Sequence, residues 1–336
     1  MGTRPTLQQI ALLAGTSKST VSRVLTGKGY AAPEIRERVL SAAKACGYSP
    51  RPTSKKKRID DMILIIASAL DSEVQVQLAN AIINFLRLKG MKAVIASVPF
   101  GSDTLLDYIR YAGERGFGGI IALGMLDTPP MRRLMRTLPF PVVLLGQTIE
   151  GISASRIVMQ DYEGGYRAAA YLLGMGHRQI ALLSGYDNAA AIADRERGYC
   201  DALADAGILA DGIHIAYKGF DQKSGSDFAD ECIAAGLPYT AVIATCDLLA
   251  AGFVLRLRER GVRVPEDVSV VCFDDTLSVR ICQPPLTVVR YDFERMGQAL
   301  AELMSERVLS PQKPPRCVTF APTMITRGSV APPQTR

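Results

Sequence analysis

From Met62 onward, short apolar runs alternate with helical stretches, and no other feature of this chain restricts its fold as much. The run MILIIA is followed by a helical stretch from Val74 to Lys89, which Gly90 stops. AVIAS, a helix over Thr104–Arg115, GIIAL, a helix over Met131–Thr137 and PVVLL complete a first set. After IVMQ and a helix over Gly165–Leu173 the alternation resumes. IALLSG, Asp194–Ala206, IHIAY, Ser224–Ala235, AVIAT, Leu248–Arg260 and VSVVCF form the second set. Strands that are apolar throughout, rather than at every other residue, are buried on both faces. With helices between them they imply parallel sheets covered on both sides. The expected fold is therefore α/β, with two doubly wound parallel-sheet lobes at about 61–160 and 161–290 and a C-terminal segment crossing between them. Sheets of this kind bind ligands in the crevice at the carboxyl ends of their strands.

The first fifty residues read differently. In TLQQIALLAGTSKSTVSRVLTGKGY, Leu7, Ile10, Ala11 and Ala14 recur at helical spacing before Gly15 breaks the pattern. Ser17 is placed to cap a second helix with Val21, Val24 and Leu25 as its buried stripe. Two short helices joined by a glycine-containing turn make a helix-turn-helix. The outward positions of the second helix are Lys18, Ser19, Thr20, Ser22 and Arg23, all able to meet phosphates or base edges. The alternative is a generic helical hairpin with a solvated basic face.

Charge separates the two readings. Residues 1–58 hold 12 Lys and Arg against 2 Glu, a balance of +10, whereas the remaining 278 residues hold 27 against 31. A basic head on a mildly acidic body is the electrostatic footprint of a nucleic-acid binder whose larger part does something else. The stretch RPTSKKKRIDD joins them, so the domains expected are 1–50, a linker over 51–60 and a body over 61–330. Lys55, Lys56 and Lys57 are either a solvated tether or further phosphate contacts.

Seven scattered cysteines without a C-x-x-C pair read as free thiols in a reducing compartment. With only His177 and His214 in the chain, no metal site is expected, and no cofactor either. Neither a signal peptide nor an apolar run of spanning length is legible, so a cytoplasmic protein with no membrane partner is expected.

The head closely resembles the DNA-binding domain of the lactose/galactose repressor family. The match runs through Thr6-Leu7, Ile10-Ala11, Ala14-Gly15, Ser17, Ser19-Thr20-Val21-Ser22-Arg23-Val24-Leu25, Gly27, Arg36-Glu37-Arg38-Val39 and Gly47-Tyr48-Ser49-Pro50. The resemblance implies a third helix, Pro33 to Cys46, packing Ile35, Val39, Leu40 and Ala43 on the first two. It implies base contacts from Lys18, Ser19 and Arg23, and phosphate contacts from Thr6, Ser17 and Thr20. Ser22 and Lys28 complete the expected DNA-facing set. The body is similar to the same family's effector domain through Gly164-Gly165, Gly176-His177-Arg178, Gly198-Tyr199, Val264-Pro265-Glu266-Asp267-Val268 and Phe273-Asp274-Asp275. That likeness implies a fold of periplasmic sugar-binding type, three crossings between lobes, and a side-by-side homodimer, which could pair into tetramers, on a near-palindromic double-stranded operator.

Ligand residues carry over position by position. Arg195, three residues before Gly198-Tyr199, matches the family's arginine clamp, whose planar fork donates two parallel hydrogen bonds. Asp247 matches an acidic ligand residue. Asp274 follows a strand where the cleft should open, its alternative being a turn cap. Phe220 matches a stacking aromatic but could equally be core. The chain also departs from the family. Ser72-Glu73-Val74-Gln75 stands where Asn-Pro-Phe-Phe is frequent, Gln147 where a basic residue is common, and Asp161 and Cys246 where Asn is usual. Ser72, Gln147 and Asp161 therefore join the expected effector set, with a small hydroxylated metabolite (sugar, sugar acid or sugar phosphate) as the ligand. The competing functions are a sugar-binding receptor and an enzyme using Asp274 and Asp275 as a carboxylate pair. In the linker, Arg51 to Arg58 lacks the leucine that the family wedges into the minor groove, so a tether that bends its operator little is expected.

Overall fold

The computed structural model describes residues 6–26, 31–46, 59–68, 70, 72–99, 102–146, 148–185 and 190–334. Lys28, Gln147 and the linker with Lys55, Lys56 and Lys57 lie outside the described residues. The chain divides into two compact units, 1–58 and 59–336.

The head is built of α1 (Leu7–Leu13), α2 (Lys18–Thr26) and α3 (Pro33–Ala45). Thr6 opens α1 with a capping box. Its hydroxyl accepts from the Gln9 amide while its own amide donates to Gln9 Oε1 at 2.7 Å. Ser17 opens α2 in the same way, accepting from the Thr20 amide at 3.1 Å. Ile10, Val21, Val24 and Val39 close the core between the helices. Leu40 does not join it, being half exposed, and Ala42 takes the buried place beside Ala43. On α3 the inward stripe runs 35, 39, 42, 43, so residue 40 faces away.

In the body, β1 (Ile59–Ala67), α4 (Glu73–Leu88), β2 (Lys92–Ser97), α5 (Thr104–Arg115), β3 (Phe117–Ala122), α6 (Pro129–Met135), β4 (Val142–Leu145) and β5 (Ser155–Met159) form the first lobe. The second holds α7 (Asp161–Gly174), β6 (Ile180–Gly185), α8 (Ala190–Asp205), β7 (His214–Lys218), α9 (Gln222–Ala234), β8 (Ala241–Ala244), α10 (Asp247–Glu259), β9 (Ser269–Phe273), α11 (Leu277–Arg280) and β10 (Thr287–Arg290). The chain then returns. α12 (Phe293–Leu309) and β11 (Cys317–Phe320) belong to the first lobe, and β12 (Thr323–Ile325) to the second. The sheet orders are β11-β5-β4-β3-β1-β2 and β12-β10-β9-β8-β6-β7. Every pairing is parallel except β12 on β10.

Each sheet buries both faces, as unbroken apolar strands require. Ile63 and Ile65 face α4 and α12 through Leu78, Ile82, Met296 and Leu300, while Leu64 and Ile66 face α5 through Leu105 and Ile109. In the second lobe Leu183 meets Phe228 and Phe253, and Leu182 meets Leu172 and Tyr199 on the other side.

Two helix starts differ from the sequence reading and bear on the site. α7 begins at Asp161 rather than Gly165, and α10 at Asp247 rather than Leu248. An acid in the first turn is favoured by the helix dipole, so both helices extend back to include it.

Candidate functional site

The second-lobe strands end where the chain crosses to the first lobe, and four charged side chains converge there. Asp161 is the first residue of α7 and Asp247 the first of α10. Asp274 follows β9, and Arg195 lies on α8. All four are at least nine-tenths buried. Arg195 Nε donates to Asp161 Oδ1 at 2.8 Å and its Nη1 to the Thr245 carbonyl at 2.7 Å. The guanidinium lies 4.1 Å from the centre of the Phe273 ring. Tyr291, in the crossing after β10, donates its hydroxyl to Asp161 Oδ1 at 3.3 Å. Asp247 Oδ2 accepts from the Ser278 hydroxyl at 3.4 Å.

Electrostatics follow from three acids around one base. Burial opposes the charge on Arg195, but Asp161 and Asp274 outweigh it and hold the guanidinium above its ordinary value. Burial pushes the Asp274 carboxyl up; Arg195 pulls it back, and Asp247 and Asp161 push it further, to about 7. Burial also raises the Cys246 thiol to about 12, which leaves it a neutral wall group. Asp274 has φ of +72°. A short polar residue tolerates this left-handed backbone, and the turn sends the next residue elsewhere. Asp275 is held by Arg280 at 3.0 Å and Arg327 at 2.7 Å, which keep its carboxyl low despite its burial, and Arg290 lies at 3.8 Å. Adjacent in sequence, Asp274 and Asp275 thus have different partners and do not form a carboxylate pair.

The remaining candidates are less central. Phe220 is exposed by about a third, just beyond β7, so it is not core. Its ring lies so close to Gly185, the last residue of β6, that a Cβ there would fall 2.2 Å from Cζ. Ser72 precedes α4 without capping it, and both carboxylate oxygens of its neighbour Glu73 accept from the Leu277 amide at 2.9 Å, joining the two lobes. Sequence reasoning missed Glu73, Tyr291, Ser278 and Thr245 as site residues. Thr245 is fully buried, and its hydroxyl has no hydrogen-bond partner among the described residues. Only Thr245, at the end of AVIAT, carried a usable signal, because strand ends of such sheets face the crevice.

In the head, Thr6, Ser17, Lys18, Ser19 and Arg23 are exposed, with Thr20 and Ser22 half-buried. α1 and α2 carry no acidic residue in their first turns. The Ser17 hydroxyl is shared with Ser19 at 2.7 Å and Thr20 at 2.8 Å, so these three already form a small polar cluster.

Among the described residues no group of three or more His, Cys, Asp or Glu could hold a metal ion, and no helix is long and apolar enough to cross a membrane.

Comparison with known proteins gives two family matches, to bacterial regulatory proteins of the lacI family over residues 6–51 and to a periplasmic binding protein-like domain over residues 169–330. The transcriptional regulator MalR of Streptomyces coelicolor is 30% identical over 334 residues, covering 97% of this chain and 96% of that protein. The transcriptional repressor PurR of Vibrio atlanticus is 29% identical over 332 residues, covering 97% and 98%. Among solved structures, the transcriptional regulator CelR in complex with cellobiose matches with a TM-score of 0.73 at 28% identity, covering 97% of this chain and all of that one.

Proposed function

The chain belongs to the lacI family of bacterial regulatory proteins, and on that footing we propose that a small polyhydroxylated metabolite bound between its two lobes controls how the head binds DNA. The protein is a sequence-specific DNA-binding transcription regulator. The observation that carries the effector half is the buried group of Asp161, Arg195, Asp247 and Asp274, with a Thr245 hydroxyl beside it that has no partner among the described residues. Buried polar groups need hydrogen-bond partners, and a ligand rich in hydroxyls both donates to carboxylates and accepts from a guanidinium. A solved relative holding cellobiose supports the same class of ligand.

In this reading Lys18, Ser19, Ser22 and Arg23 meet base edges, and Thr6, Ser17 and Thr20 meet phosphates, joined by Lys28, Lys55, Lys56 and Lys57. Ser72 and Phe220 form the outer wall of the cleft, and Gln147 joins the effector set. The regulator acts as a repressor, in the cytoplasm on the nucleoid, and as a homodimer on a near-palindromic operator. Exposed apolar side chains on the body favour the dimer: Val94, Tyr108 and Tyr111 in one lobe and Leu255, Leu277 and Ile281 in the other. An enzymatic role has little to rest on, since Asp275 is bound up in arginine contacts and leaves Asp274 without an acid/base partner. A sugar-binding receptor would use the same body but has no need of the head.

The test is a thermal-shift screen of the full-length chain against sugars, sugar acids, sugar phosphates and nucleosides, repeated with Arg195→Lys and Asp247→Ala. Either change should cost at least about 1–3 kcal/mol of ligand affinity and leave operator binding without ligand intact. A ligand-induced shift unchanged in both variants would place the effector elsewhere.

A further inference from the structure

Resting on the cleft reading above, we propose that this chain selects an uncharged or cationic polyhydroxylated ligand, such as a neutral sugar or an amino sugar, and rejects sugar phosphates and sugar acids. Asp161 is the specificity-determining residue. Three carboxylates, on Asp161, Asp247 and Asp274, are buried against a single guanidinium, Arg195. That guanidinium already donates from Nε to Asp161 and from Nη1 to the Thr245 carbonyl. An anion entering here would lose its hydration shell and meet more negative charge than positive.

The segments that follow the first-lobe strands (68–72, 98–103, 123–130 and 146–154) contain no Lys or Arg in sequence, and Asp103 lies among them. Among the described first-lobe residues, Arg132 follows these strand ends, and it is already taken up by Asp127 at 2.6 Å and by Glu150. Glu73 adds a carboxylate where the lobes meet. In the second lobe, Lys223 pairs with Asp227 at 2.5 Å and Glu196 accepts from Ser184 and Tyr217. Arg280, Arg290 and Arg327 gather on Asp275. Arg280 is acted on by Glu73 as well as by Asp275.

The site holds more acceptors than donors. Carboxylate oxygens mainly accept, even with the Asp274 carboxyl raised to about 7 and so partly protonated at neutral pH, and the group calls for O–H or N–H groups from the ligand. Hydroxyls meet that need without charge, and an ammonium group adds favourable charge to it. A phosphate or carboxylate presents acceptors to acceptors. At position 161 the chain carries a charge where an amide would give Arg195 a neutral acceptor and leave more of its positive charge for an anion.

Two titrations of the full-length chain test this. In the first, neutral sugars (hexoses, pentoses and disaccharides) are compared by thermal shift and calorimetry with their amino, aldonate and phosphate derivatives. Stabilisation is expected from the uncharged and amino forms only, with anionic forms of the same skeleton at least about tenfold weaker. A phosphate or aldonate that binds more tightly than its uncharged parent overturns the proposal, while loss of that binding in Arg195→Lys would leave the cleft reading standing. A neutral ligand indifferent to Arg195→Lys and Asp247→Ala overturns the cleft reading instead, and binding by no form overturns both.

In the second, inorganic phosphate is titrated against the wild-type chain and Asp161→Asn, with Asp274→Asn as the substitute if the first variant does not fold. Phosphate should stabilise the variant and not the wild type. Equal or greater stabilisation of the wild type overturns the proposal.

Discussion

Asp161 and Arg195, thirty-four positions apart in the chain, meet at 2.8 Å with both side chains under a tenth exposed. Removing either partner leaves the other charge buried without compensation, which costs about 3–5 kcal/mol, whereas replacing both by apolar residues of similar volume is far less damaging. Asp161→Ala and Arg195→Ala should each show a loss of that order in urea denaturation of the body. The double change Asp161→Leu/Arg195→Met should recover most of it. A cycle in which the two losses simply add would mean the pair does not act as a unit.

Asp274 gives the body a pH dependence of definite sign. Its folded value, about 7, lies above the ordinary value of 3.8, so the folded state holds the proton more tightly than the unfolded one. The resulting stabilisation is fully present below pH 4 and is lost as pH rises through 7. Asp274→Asn removes the titration and tolerates the same backbone. At pH 8 the variant should be the more stable by an amount on the order of a few kcal/mol, and the gap should narrow by pH 5. Melting temperatures across that range would reveal parallel curves if the carboxyl were ordinary.

Glycines set how closely the site-bearing helices approach. A Cβ on Gly165 would fall 2.0 Å from the Arg195 carbonyl oxygen, and one on Gly198 2.1 Å from the Tyr162 carbonyl oxygen. Backbone cannot yield at such distances, so Gly198→Ala should push α8 off α7 at a cost of about 1–3 kcal/mol or more. It should also weaken ligand binding, because Asp161 and Arg195 sit on the two separated helices. Gly174→Ala, with nothing within 4 Å, serves as the control and should be neutral or slightly stabilising.

In the head, truncating Lys18 or Arg23 should cost roughly 1–3 kcal/mol at particular base pairs and relax the sequence preference there. Changing Lys55, Lys56 and Lys57 to Gln should instead flatten the salt dependence and leave the preferred operator unchanged. Binding to a randomised operator library at two salt concentrations separates these effects. A shifted consensus in the triple variant would contradict the division of labour.

The linker between Arg51 and Arg58 contains no Leu, Ile, Met or Phe to wedge between base steps. Operator bending should accordingly be slight. Circularly permuted operator fragments in a gel-shift series should migrate almost alike; a pronounced bend at the dyad would show that another residue, such as Ile59, serves as the wedge.

Local pattern was enough to determine the architecture of this chain. Unbroken apolar strands between helical stretches required sheets covered on both faces, and Gly15 and Ser17 marked the turn between the first two head helices because caps and turns depend on neighbours three or four residues away. The charge split between head and body was likewise a property of the letters. Arg195, Asp247 and Asp274 were legible as candidates because each follows or precedes a recognisable phrase. What they do to one another was not legible. The Asp161–Arg195 pair spans 34 residues and the Tyr291–Asp161 contact 130, so no local spacing encodes them. Asp274 and Asp275 looked like equals in sequence. Only the fold, which buries Asp274 beside other acids after a left-handed turn and brings Arg327 from 52 residues away to join Arg280 on Asp275, gave one a raised pKa and the other a lowered one. Secondary structure is set by short-range sterics and periodic burial, whereas the charge of a buried site is a sum over groups that only the folded chain brings within reach of one another.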